Sequence, residues 1–164
     1  MIDNKLRLIL KFFSLIFSYP NEDILREAEA LARESGAREL LELVDELKAI
    51  DLKTLQIEYT NLFITSYPTL KCPPYESFYR EGKVYGESAV EVKEVYRRYG
   101  LEYTYASEPP DHVSVELEFL ALTGSDEFLD RLRSWLPRFL ECIKNNSKIY
   151  EQIARTLEYF IGRA

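Results

Sequence analysis

Leu6-Arg7-Leu8-Ile9-Leu10-Lys11-Phe12-Phe13-Ser14-Leu15-Ile16-Phe17 decides how the rest of the chain is read. Taken as an unbroken apolar run, it would be the centre of a secretory signal peptide. Its polar residues give another answer. Asn4, Arg7, Lys11, Ser14 and Ser18 recur at spacings of three and four, which puts them in one narrow stripe on a helix that is otherwise apolar. No small-residue cleavage site follows, and the run is too short and too interrupted by charge to span a bilayer. A deeply buried first helix of the mature protein is expected.

The same period recurs outward from it. After Tyr19-Pro20, Asn21 reads as an N-cap, and Ile24, Leu25, Ala28, Leu31 and Ala32 form a stripe stopped by Ser35-Gly36. Leu40, Leu41, Val44 and Leu47 mark a third helix. Asp51 then caps a fourth that carries Leu52, Leu55, Tyr59, Leu62 and Phe63. Helicity resumes with Ala89, Val92, Val95, Tyr96 and Tyr99 up to Gly100, and again from Asp111 through Val113, Leu117, Leu120 and Ala121 to Gly124. The last third holds three more stripes: Phe128 to Leu132, Trp135 to Ile143, and Ile149 to Phe160. Pro137 sits there in a first turn capped by Ser134. No period-2 run of strand length occurs. The expected fold is all-α, one domain over residues 1–164, a bundle of about eight to ten helices with long Tyr/Pro-rich loops.

From Ser66 to Gly86 the helical pattern disappears into Pro68, Pro73-Pro74, Gly82 and Gly86. A connection of that length inside a compact domain is usually functional or disordered. Tyr67, Tyr75, Phe78, Tyr79 and Tyr85 make it too aromatic for a free linker, so it is expected to pack down.

With 164 residues, 46% of them hydrophobic and 30% charged, the chain is long enough for one sizeable core. A net charge of −7 argues against binding a phosphate backbone; it makes a cationic partner easier to accommodate, while its plainer reading is that mild acidity keeps a small protein soluble. Cys72 and Cys142 are far apart with no CxxC pair, so no disulfide framework or zinc site is expected, and a reducing cytoplasm fits best.

Catalytic signatures are missing. There is no GxxxxGK[ST], no GxGxxG and no GxSxG, and the single histidine, His112, has no nucleophile at a recognisable spacing. His112 and Glu116 stand at i and i+4 on one helix face, but two ligands are too few for a metal. In Glu108-Pro109-Pro110-Asp111-His112, the prolines set an extended lead into a helix, and Asp111 is expected to cap it. His112 would then be the first helical residue, kept neutral by the helix dipole and able to donate and accept hydrogen bonds.

Three segments in order complete the pattern: Glu58-Tyr59-Thr60-Asn61-Leu62-Phe63, then Pro73-Pro74-Tyr75-Glu76-Ser77-Phe78-Tyr79, then Glu108 to His112 leading into Glu116-Leu117-Glu118-Phe119. Together they resemble the TorD/DmsD/NarJ family of molybdoenzyme maturation chaperones, strongly from about residue 55 to 122. The resemblance implies a cytoplasmic, non-enzymatic chaperone. Its partners would be the twin-arginine signal peptide and the apo catalytic subunit of a molybdopterin-containing oxidoreductase, which it guards during cofactor insertion before export. It further implies weak guanine nucleotide binding and a monomer or a domain-swapped dimer with its hinge near 106–112, without nucleic acid or stable membrane insertion.

A peptide with two arginines and an apolar stretch needs acidic acceptors beside apolar and aromatic faces. The residues expected to supply them are Asp111, His112, Pro110, Glu108, Glu116, Tyr75, Glu76, Ser77, Phe78, Tyr79 and Tyr59. Two other readings compete: a small helical enzyme or nucleotide-binding protein using His112 with Asp111 or Glu116, and a structural assembly adaptor that does not read the leader.

Overall fold

The chain was analysed as a computed structural model that describes residues 2–65, 67–104 and 108–164. Ten α-helices follow one another among these residues. They are α1 (Asn4–Ile16), α2 (Glu22–Ser35), α3 (Arg38–Lys48), α4 (Leu52–Phe63), α5 (Glu76–Glu81), α6 (Glu87–Arg98), α7 (Val113–Thr123), α8 (Asp126–Arg133), α9 (Leu136–Asn146) and α10 (Lys148–Arg163). No β-strand forms among the described residues, only an isolated bridge between Tyr75 and His112. None of the helices is long and apolar enough to cross a membrane. Of the expected hinge near 106–112, residues 106 and 107 lie outside the described residues.

As its apolar surround requires, α1 is central: it packs between α2 and α7, and Phe12, Phe13, Phe17 and Leu10 are fully buried. Beyond the exposed Asn4, its polar stripe is partly or wholly covered. Ser14 is buried and its hydroxyl donates to the Ser114 carbonyl at 2.9 Å, while Lys11 pairs with Glu118 at 3.1 Å. Further along, a Cβ on Gly124 would lie 2.5 Å from the Arg7 guanidinium. The stripe therefore registers α1 against α7, where an all-apolar face would slide. One contiguous core extends from Ile2 to Ile161 and includes Trp135, Phe139 and Tyr150.

Local signals set most helix ends. Asn21 Oδ1 accepts from the Ile24 amide at 2.8 Å, and Asp51 Oδ2 from the Thr54 amide at 3.3 Å. Gly36 and Gly124 close α2 and α7 with φ of 69° and 63°, a conformation that costs glycine little. Pro137 lies in the first turn of α9.

Elsewhere tertiary contacts overrule the local reading. Ser134 does not cap α9: its hydroxyl donates backward to the Arg131 carbonyl at 2.6 Å, and Trp135 holds the cap position. The stretch 66–86 is not structureless, because α5 lies within it, closed by Gly82 at φ 80°. Six residues are too few to display a helical period. Tyr67 and Tyr85 do not pack down; they are 88% and 71% exposed.

Cys72 and Cys142 form a disulfide across 70 residues of sequence. This corrects the expectation of two unpaired thiols and removes the support those thiols gave to a reducing compartment. Its cause is tertiary: the α4–α5 connection, tied to α4 by the Cys72 amide donating to the Leu62 carbonyl at 2.9 Å, folds back against α9. Spacing along the chain carries no trace of that approach.

Candidate functional site

The two proline-rich segments meet and pair. The His112 amide donates to the Pro109 carbonyl at 3.0 Å, so Pro109 to His112 is a tight turn rather than the extended lead expected. The turn then joins the chain entering α5: the Glu76 amide donates to the Asp111 carbonyl at 3.1 Å, and the Val113 amide to the Pro74 carbonyl at 2.8 Å.

Asp111 caps a helix, though not the one that follows it. Its Oδ2 accepts from the Ser77 amide at 2.8 Å, so carbonyl and carboxylate together satisfy the first two amides of α5, 34 residues earlier in sequence. This explains how a six-residue helix with no side-chain cap of its own persists. Burial pushes the Asp111 carboxyl up, against the opposing pull of its bonds to Ser77.

The cap of α7 is His112. Its Nδ1 accepts from the Ser114 amide at 3.1 Å and lies 2.8 Å from the Ser114 hydroxyl. An amide only donates, so Nδ1 holds the lone pair and Nε2 the proton. Nε2 faces Glu108 Oε2 at 3.7 Å. The ring is neutral as expected, but the cause is burial at 2% exposure, which pulls its pKa down to about 3. Tyr75 packs edge-on against it at 5.3 Å and reaches Glu108 through its hydroxyl at 3.5 Å. Burial raises the Glu108 carboxyl.

Behind this turn, Glu76 and Glu116 are wholly buried, each 0% exposed. Arg131 grips Glu76 with two nitrogens, Nε to Oε1 at 3.1 Å and Nη2 to Oε2 at 2.8 Å, and Arg80 adds a third contact at 3.0 Å. The guanidinium of Arg131 also reaches Glu91 at 2.9 Å. Burial disfavours its charge, but the paired carboxylates outweigh that and hold its proton more firmly than usual. Glu116 Oε1 accepts from the Trp135 indole at 3.2 Å, while Oε2 meets no N–H or O–H donor among the described residues. Burial, then the neighbouring Glu76 and Asp111 carboxyls, push the Glu116 carboxyl well up. That direction favours the protonated form of Glu116.

Asp111, His112, Glu108, Pro110, Tyr75, Glu76, Ser77 and Glu116 thus form one connected cluster. Pro110 joins through its carbonyl, which accepts from the Tyr96 hydroxyl at 2.6 Å. Tyr79 stacks on Trp135 at 5.8 Å. Phe78 faces outward, and Tyr59 makes its contacts in the aromatic core, donating to the Phe17 carbonyl at 2.8 Å. Arg131, Trp135 and Tyr96 escaped the sequence reading, since nothing in their local pattern separates them from ordinary helix residues. Arg80 escaped it too, because its place four residues after Glu76 matters only once 76–81 is seen to be helical.

Asp111, His112, Glu76 and Glu116 are covered side chains whose hydrogen bonds hold backbone and neighbouring side chains in place. His112 and Glu116 are committed to Ser114 and Trp135. Among the described residues no group of three or more His, Cys, Asp or Glu side chains is arranged to hold a metal ion.

The all-helical body spends several buried polar residues on fixing one turn. Comparison with known proteins gives it a family. Residues 27–141 match the nitrate reductase delta subunit family. A crystal structure from Archaeoglobus fulgidus, described as that of a redox enzyme maturation protein, is 48% identical; the alignment covers 96% of this chain and 94% of that one, with a TM-score of 0.89. No curated protein matches the chain. The chain belongs to the nitrate reductase delta subunit family, the TorD/DmsD/NarJ type of redox-enzyme maturation chaperone that its motifs resemble.

Proposed function

We propose that the protein acts in the cytoplasm by binding the twin-arginine leader of a molybdopterin-containing oxidoreductase and holding its apo catalytic subunit until the cofactor is in place. The observation that carries this reading is the family match across 27–141, which contains the whole paired turn. The net charge of −7 supports it, since a cationic leader is drawn to an acidic surface.

Within the cluster we assign two roles. Glu108, with its side chain 40% exposed, and the outward faces of Tyr75 and Phe78 meet the peptide. Asp111, His112, Pro110, Glu76, Ser77, Glu116, Tyr79 and Tyr59 hold the frame on which those contacts depend.

Calorimetric titration with a synthetic leader tests the reading. The twin-arginine peptide should bind better than its twin-lysine or scrambled versions, and affinity should fall as salt rises. Equal binding of all three peptides sinks leader recognition. The burial of the signature favours one other reading, an adaptor that grips the body of the client. A client lacking its leader would then bind undiminished.

A further inference from the structure

α7 is apolar on both sides. Its inner face, Val113, Leu117 and Leu120, is fully buried. On its outer side Val115, Glu118, Phe119 and Leu122 recur at i, i+3, i+4 and i+7, and with Tyr96, Leu101, Glu102 and Tyr103 they line a groove of about 190 Å3. Leu122 is 61% exposed there and Leu101 36%. A helix with one face on a core normally turns a polar face outward, so a second apolar stripe marks a surface meant to be covered. The volume falls below the ~300–1,000 Å3 of small-molecule sites. The groove suits side chains projecting from a peptide.

Charge selects the occupant. The charged groups lining the groove are Glu102 and Glu118, the latter half exposed and only partly offset by Lys11. The groove is also joined to the signature: Tyr96 lines it and donates its hydroxyl to the Pro110 carbonyl. We infer that the outer face of α7, with residues 101–103, binds the apolar stretch of a basic amphipathic peptide segment, its cationic residues lying toward Glu102 and Glu118. This rests on the leader-binding reading and places the apolar half of the leader outside the paired turn, on a surface tied to that turn through Tyr96.

Binding of a fluorescent synthetic peptide, two arginines followed by an apolar stretch, tests it with the full-length wild-type chain and with L122E and E102K. Leu122 and Glu102 are exposed, so both variants should fold, which circular dichroism checks. Adding a carboxylate to the apolar floor should weaken binding about tenfold or more. Reversing the rim charge should weaken it about threefold at low salt and less at high salt. A peptide with its apolar stretch replaced by serine should bind the wild type as poorly as the intact peptide binds L122E. Full affinity in both variants overturns the groove and leaves leader recognition standing. No binding to the wild type overturns leader recognition and the groove with it. If sedimentation shows that L122E dissociates an oligomer without changing peptide affinity, a second copy covers the groove and the inference is overturned.

Discussion

The paired turn at 108–112 and the outer face of α7 invert the usual arrangement of polar and apolar residues. The turn gathers four acids, a histidine and two arginines, and buries Glu76, Asp111, Glu116 and His112. The groove on the outer side of α7, by contrast, exposes Leu122 and Leu101 to solvent beside only two carboxylates. Residues with the most suggestive chemistry serve as architecture, while plain aliphatic ones form the open surface. A buried polar network is worth its desolvation only when every member is paired, and then it fixes a unique geometry. An exposed apolar stripe stays soluble only when it is small or covered.

If the buried turn is a frame, breaking it should cost stability before it costs recognition. The largest loss is expected from Arg131→Met, which leaves the buried Glu76 carboxylate with Arg80 alone; about 3–5 kcal/mol is the usual scale for a buried charge losing its partner and sets the upper bound here. Chemical denaturation checks it. Reducing the Cys72–Cys142 disulfide frees the connection that feeds α5, and closing a loop of 70 residues is worth about 4 kcal/mol. Melting with and without a dithiol reads that. Asp111→Ala should cost about 1–3 kcal/mol by orphaning the Ser77 amide, and Asp111→Asn, which keeps an acceptor, distinctly less. Hydrogen exchange should localise the loss to α5.

pH sharpens the contrast from within the frame. The Glu116 carboxyl is pushed up on folding, so its contribution is present below the ordinary carboxylate range and is lost as pH rises. Glu116→Gln keeps the acceptor for Trp135 and supplies a permanent donor toward Glu76. It should match wild type below about pH 4.5 and gain on it as pH rises above that. His112 works oppositely: pulled down to about 3 from 6.5, it stabilises above 6.5, and that contribution fades as pH falls toward 3. Melting temperatures across pH separate the two. The smallest effects belong to the outside: Tyr67→Ser and Tyr85→Ser should stay within about 0.5 kcal/mol.

How much was legible follows the range of each interaction. Asn21 and Asp51 announced their helices because a cap bonds three residues ahead. Asp111 looked like the same kind of cap and is not, since its acceptor went to Ser77 and left α7 to His112. α1 was read correctly as buried, yet the stripe from Arg7 to Ser18 gave no sign that its polar residues register α7. Of the candidate cluster, the sequence pointed to Glu76, Asp111, His112 and Glu116, and it missed Arg131 and Trp135, which lie on later helices.

By itself the sequence determined the all-helical class, most helix ends and several of the residues that meet around the turn, because period, caps and motif order are properties of neighbours along a chain. Only the tertiary structure decided that the turn from Glu108 to His112 is interior, that Cys72 meets Cys142, and that α7 leaves an apolar face open. Those outcomes depend on which surfaces the helices bury against one another, and no local stretch encodes what will cover it.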